Sequence, residues 1–173
     1  MKHRKLLMEI SELYPYWERE RQALISGLRR IEAELKKTKT DEEMEAVWDW
    51  TPPGWPRSIK DLLRHIAYVE HYIIDKLILD QEPKAILPGS LMPPEDYSTF
   101  EDCIKMMHDV HDATMVAFSG LTPADLNKLL LAFRHQLPVE RLLWSIQQEE
   151  AHHRGQIYML LRMQDIAPPE RKD

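Results

Sequence analysis

Glu149 and His153 stand in the run Glu149-Glu150-Ala151-His152-His153-Arg154-Gly155-Gln156-Ile157, inside a segment whose apolar residues Val139, Leu142, Leu143, Ile146, Ile157, Leu160 and Leu161 recur every three or four positions. That spacing marks a helix burying one stripe, and Glu149 and His153 occupy the stripe where leucine is expected. Four residues of α-helix turn through about 400°, so the two side chains point the same way one turn apart, near enough to share a cation. A carboxylate taken out of water needs a partner. A metal, a hydrogen-bond network or a water-filled cleft must supply it.

One helix offers at most two or three ligands to an ion, so a metal site needs a further donor. His65 is the best placed: Leu62, His65, Val69 and Ile73 form one side of a second amphipathic helix. His65, Glu149 and His153 make a two-histidine, one-carboxylate set. Such a set leaves positions open on zinc, nickel, iron or manganese and suits catalysis better than structural closure. The competing reading is structural, since a single histidine on an apolar face is commonly a hydrogen-bonded core residue. A carboxylate and an imidazole together on a buried stripe are harder to explain that way.

Ligating imidazoles usually donate their second nitrogen to a carboxylate, carbonyl or water, and Glu70 and Gln156 are placed to receive it. His152 projects about 100° away from His153 and belongs behind the ligands or at the surface. His111 shares a face with Ile104, Met107, Met115 and Phe118, so it either looks into the same cavity or is a satisfied core histidine. Trp48, Trp50 and Trp55, set among prolines, either roof a small-molecule pocket or pin an irregular loop to the core. No serine, cysteine or lysine has a recognisable nucleophile setting. The catalytic residue is therefore unassigned, and metal-centred chemistry is the simplest enzymatic account.

The run His152-His153-Arg154-Gly155-Gln156-Ile157, followed by Leu160-Leu161-Arg162 and Ile166-Ala167-Pro168-Pro169, resembles the C-terminal signature of the DinB-like superfamily, which includes the YfiT-type metal-dependent hydrolases. Trp55-Pro56-Arg57-Ser58-Ile59 through Leu63-Arg64-His65-Ile66 resembles the start of that family's second helix. Order and spacing agree over nearly the whole chain. The resemblance implies a four-helix bundle, commonly a homodimer, with a metal held by three histidines. His65 and His153 match the first and last of these; the middle one, four residues before His153, is Glu149 here. The implied activity is that of a hydrolase or a low-molecular-weight thiol transferase acting on a small-molecule substrate. A divalent metal, zinc or nickel before iron or manganese, would lower the pKa of a water or thiol. The alternative is a non-catalytic binding or stress-response bundle with a buried polar network in place of the ion.

Composition bounds these readings. The chain has 173 residues, 43% hydrophobic, with only five glycines, as expected of one helical domain over residues 1–173. Its 23 basic and 29 acidic residues give a formal charge of -6. That disfavours a nucleic-acid surface, which the family's name invites but which needs concentrated cations. The run Lys36-Lys37-Thr38-Lys39 is short and suits a helix C-terminus. A single cysteine, Cys103, excludes an internal disulfide framework. The basic then apolar start at residues 1–8 is too short for a signal sequence, and no stretch spans a bilayer. A cytoplasmic protein without membrane partners is expected.

Four helical segments separated by proline-bearing connections are expected, which with the resemblance implies an all-α, four-helix bundle with long irregular connections. The first helix is expected over residues 15–37, with Trp17, Leu24, Leu28, Ile31 and Leu35 inward and a short extra helix before it at residues 5–14. Three prolines and a glycine break the chain at residues 52–56. Ser58 caps a second helix to about residue 80. After an irregular stretch at residues 83–97, Ser98 to Glu101 reads as a capping box for a third helix to about Phe118. Residues 124–137 allow one short helical turn. Pro138 suits the first position of a last helix ending near Gln164.

Overall fold

The four apolar stripes meet in the computed structural model, which describes residues 10–80 and 97–169. The expected irregular stretch lies outside the described residues except for Tyr97, as does the basic start of the chain. Helix α1 (Ile10–Leu35) buries Trp17, Leu24, Leu28 and Ile31. It takes in Pro15 and residues 10–14 rather than leaving them as a separate helix, at the cost of one backbone hydrogen bond. Helix α2 (Asp41–Asp49) was not expected. Its start is a capping box in which Thr40 Oγ1 accepts from Glu43 N and the Glu43 carboxylate accepts from Thr40 N at 2.8 Å.

Helix α3 (Ile59–His71) begins at Ser58, whose hydroxyl accepts from Asp61 N. It continues, not as the expected α-helix, but as a π-helix over Tyr72–Leu79 with Tyr72, Ile73, Ile74, Leu77 and Ile78 buried. Its wider turns close hydrogen bonds five residues apart, as between Asp80 N and Asp75 O at 2.9 Å. Helix α4 (Phe100–Ser119) is capped one residue later than expected, by Thr99 paired with Asp102 rather than by Ser98 with Glu101. The shorter aspartate closes the box equally well.

Residues after α4 form a 3₁₀ turn (Asp125–Asn127) and then a feature absent from the sequence reading: a hairpin of β1 (Leu129–Ala132) and β2 (His135–Pro138). Ala132 faces His135 across a two-residue turn in which Phe133 has φ 50° and Arg134 φ 68°. Both lie in the left-handed region that mirror-image hairpin turns require, and neither is the glycine or asparagine that announces such a turn. Helix α5 (Val139–Met163) leaves β2 directly, with Pro138 at the cap rather than inside the first turn.

Two apolar clusters fill the bundle. One gathers Leu24 and Leu28, Ile59 to Ala67, Phe100 to Met107, and Ile157 to Leu161; the other gathers Trp17, Val69 to Ile78, Phe118, and Val139 to Ile146. Along every long helix the residues between the clusters are polar and buried: Arg21, His65, Glu70, His111, Thr114, Gln147, Glu150 and His153. Burying a leucine or isoleucine contributes about 1.5–3 kcal/mol, whereas this belt is stable only through pairing. Trp48 stacks on Phe100 with centroids 4.2 Å apart, and Trp50 and Trp55 pack against the same cluster. The tryptophans thus pin the loop. Among the described residues no helix is long and apolar enough to cross a membrane.

Candidate metal centre

The belt contains two separate polar groups. In the first, α3 carries His65, 1% exposed, to the face of α5 that presents Glu149 and His153. One ligand atom from each lies within 4.8 Å of the others. His153 Nε2 is 3.1 Å from Glu149 Oε2, and His65 Nε2 is 3.8 Å from the same oxygen. The rings of His65 and His153 meet edge to face, centroids 4.7 Å apart. Hydrogen bonds from His153 and then His65 hold the Glu149 carboxyl well below the usual carboxylate range, against the opposing effect of burial. Glu149 is therefore an anion.

Gln156 sits one turn on. With its Oε1 toward His153 Nδ1 at 2.7 Å, Nδ1 carries the proton and Nε2 is turned to the carboxylate. A lone pair on Nε2 facing an anionic oxygen needs positive charge between them, a proton or a cation. Gln156 Nε2 in turn meets His152 Nε2 at 3.0 Å. Gln156 and His152 both lie beside His153, with His152 at the surface.

Glu70 stands apart from this group, and His111 takes the second of its two readings, that of a satisfied core histidine. Glu70 follows His65 by five residues, about 140° round α3, so it faces α1 and α4 instead. There it accepts from Arg21 Nη2 at 2.6 Å and lies 3.2 Å from His111 Nδ1. His111 Nε2 is 2.7 Å from Glu18 Oε2, and its ring stands edge-on to Trp17. Arg21, fully buried, also donates Nε and Nη2 to Glu150 at 3.1 and 3.0 Å and Nη1 to Met107 O at 3.1 Å. Trp17 Nε1 donates to Glu150 Oε2 at 3.0 Å.

This second group was missed, although Arg21 lies four residues after Trp17 and three before Leu24, squarely on α1's inward stripe. Glu150 lies on α5's stripe four residues after Ile146. Burial opposes charge on Arg21, but Glu70 and Glu150 outweigh it and raise its pKa. Burial likewise opposes ionisation of Glu70, and Arg21 with His111 reverses the effect. Cys103 is buried and its thiol is pushed up to about 12 by burial, which removes it as a nucleophile.

The family model described as the DinB superfamily matches residues 42–157, a span from α2 into α5 that includes all three side chains of the first group. No curated protein matches the chain.

Proposed function

The chain belongs to the DinB superfamily, and on that premise we propose that it is a metal-dependent enzyme whose divalent ion is held by His65, Glu149 and His153. The carrying observation is the convergence of three ligand atoms from α3 and α5 within 4.8 Å, with Gln156 fixing the His153 tautomer that leaves Nε2 for a cation. The donor set fits zinc or nickel, with iron or manganese also accommodated. When bound, such an ion acts as a Lewis acid that lowers the pKa of a water or thiol in an open position.

The chain's own contribution is orientation and charge. His65 and His153 offer neutral nitrogens, Glu149 offsets one positive charge, and apolar neighbours on α3 and α5 keep bulk water from all but the Glu149 edge, whose side chain is 32% exposed. Water as nucleophile gives a hydrolase, and a low-molecular-weight thiol gives a transferase. A small-molecule substrate and a homodimeric state complete the proposal; no nucleic acid is needed.

Elemental analysis of untagged protein tests it. About one divalent ion per chain, lost in His153→Ala, is expected. The second reading is a metal-free binding or stress-response bundle, favoured by the approach of His153 Nε2 to Glu149 Oε2 at 3.1 Å, which a single proton is enough to bridge. Protein that carries no ion and keeps its stability in chelator would select that reading.

A further inference from the structure

His111, on α4, has a carboxylate at each ring nitrogen: Glu70 Oε1 of α3 lies 3.2 Å from Nδ1, and Glu18 Oε2 of α1 lies 2.7 Å from Nε2. A neutral imidazole carries one N–H and one lone pair, so it satisfies only one of the two; the doubly protonated ring satisfies both. We propose that His111 is a proton-operated latch that fastens the N-terminal half of α1 to α4 and releases it when the ring loses its proton.

Charge in the interior points the same way. Glu70 and Glu150 share the single guanidinium of Arg21, and none of the three side chains is more than 3% exposed. One cation leaves one of the two dry carboxylates unbalanced, and an unbalanced charge there is strongly destabilising. The imidazolium of His111, its side chain 2% exposed, supplies the second positive charge. The charged groups facing it are Glu18 and Arg21 from α1 and Glu70 from α3, with Glu150 of α5 beyond Arg21. Burial disfavours the charged ring, but Glu70, joined by Glu18, outweighs burial and raises its pKa.

The two arms of the latch are unequal, and this decides which one opens. Glu70 has no exposed side-chain surface and is held by Arg21 Nη2 at 2.6 Å, so it cannot turn to water. The Glu18 side chain is 39% exposed. The proton therefore leaves Nε2, whose lone pair then faces the Glu18 oxygen, and Glu18 turns out into solvent. Trp17, which meets His111 and Phe118 of α4 edge to face at 5.2 and 5.6 Å, follows it off α4. Arg21 keeps the rest of α1 in place. Closure is at full strength below about pH 6.5, the ordinary imidazole value, and weakens by up to about tenfold per pH unit as pH climbs to the raised value of the closed form.

Amide hydrogen exchange across about pH 6 to 9, each rate divided by its intrinsic rate, tests the latch. The amides of residues 15–18 and the Trp17 indole N–H should open at least about tenfold more often at the upper limit than at the lower, with the α5 amides around Ile146 better protected throughout. Glu18→Gln presents an oxygen to a ring that has Nε2–H and an N–H to a ring that lacks it, so it should abolish the dependence with the fold intact. His111→Gln should leave the same α1 amides open at every pH. Side-chain ¹⁵N shifts of His111 should show two N–H groups at pH 6. A singly protonated ring at that pH, α1 amides without pH dependence or no less protected than those of α5, or the wild-type dependence retained in Glu18→Gln would overturn the proposal. If His111→Gln fails to fold, Glu18→Gln decides alone.

Discussion

The imidazole of His65 on α3 stands at 89° to that of His153 on α5, with both rings turned to one oxygen of Glu149. Two rings in this relation leave a wedge whose open side is the carboxylate.

Gln156 tests how far that arrangement depends on support from behind. Gln156→Leu removes the acceptor for His153 Nδ1–H without touching a ligand atom. Zinc affinity, measured by competition with a chromophoric chelator, should fall about 10- to 100-fold while the fold is kept. Unchanged affinity would mean that the His153 ring is oriented by packing alone.

Arg21→Met leaves Glu70 and Glu150 buried without their shared cation. A loss of about 3–5 kcal/mol in urea unfolding is expected. Adding Glu70→Gln and Glu150→Gln to Arg21→Met should recover much of it, because the cost comes from unpaired charge. A loss of the same size in the triple variant would instead point to packing of the arginine stem.

His111 lies between two carboxylates, Glu70 and Glu18. Burial disfavours its charged form, but the hydrogen bond and charge of Glu70, joined by Glu18, outweigh this and raise its pKa above the ordinary value. Stability from the protonated ring is therefore fully present below about pH 6.5 and is lost as pH climbs through the raised folded value. Glu70 acts in the opposite sense: its depressed pKa gives stability that is lost as pH falls below the ordinary carboxylate range. His111→Gln should cost about 2 kcal/mol at pH 6 and flatten the alkaline decline. Unfolding curves across pH 5–9 for both proteins check this.

Arg134 is exposed at φ 68° in the hairpin turn. A non-glycine residue there carries roughly 1–2 kcal/mol of steric cost, partly offset on substitution by the greater freedom of unfolded glycine. Arg134→Gly should raise stability by about 0.5–1 kcal/mol in thermal or urea unfolding. A decrease would show that the arginine side chain contributes more than its backbone costs.

Legibility followed periodicity. The stripes at Leu24 and Leu28, at Leu62 to Val69 and at Leu142 to Leu161 named the long helices, because burial of one face leaves a regular trace. His65, Glu149 and His153 stood out as polar residues interrupting those traces. Arg21 and Glu150 interrupted them in the same way but lacked a metal-ligand identity that drew notice. The hairpin left no trace at all, since Phe133 and Arg134 adopt left-handed backbone without the residues that usually permit it. Helix α2 was within reach: Thr40 and Glu43 form a capping box as regular as the one at Ser58. The π-helical end of α3 was not, because a run such as Tyr72-Ile73-Ile74 is apolar at every phase and fixes no period.

A single guanidinium, that of Arg21, makes contact from α1 with Glu70 on α3, Met107 O on α4 and Glu150 on α5. No one of the four long helices can detach without stripping the same group of its acceptors in a dry interior. The bundle is thereby made to open as a unit rather than helix by helix. The slowest-exchanging amides of α1, α3, α4 and α5 should share one opening free energy, and fraying should stop short of the turn that carries each contact.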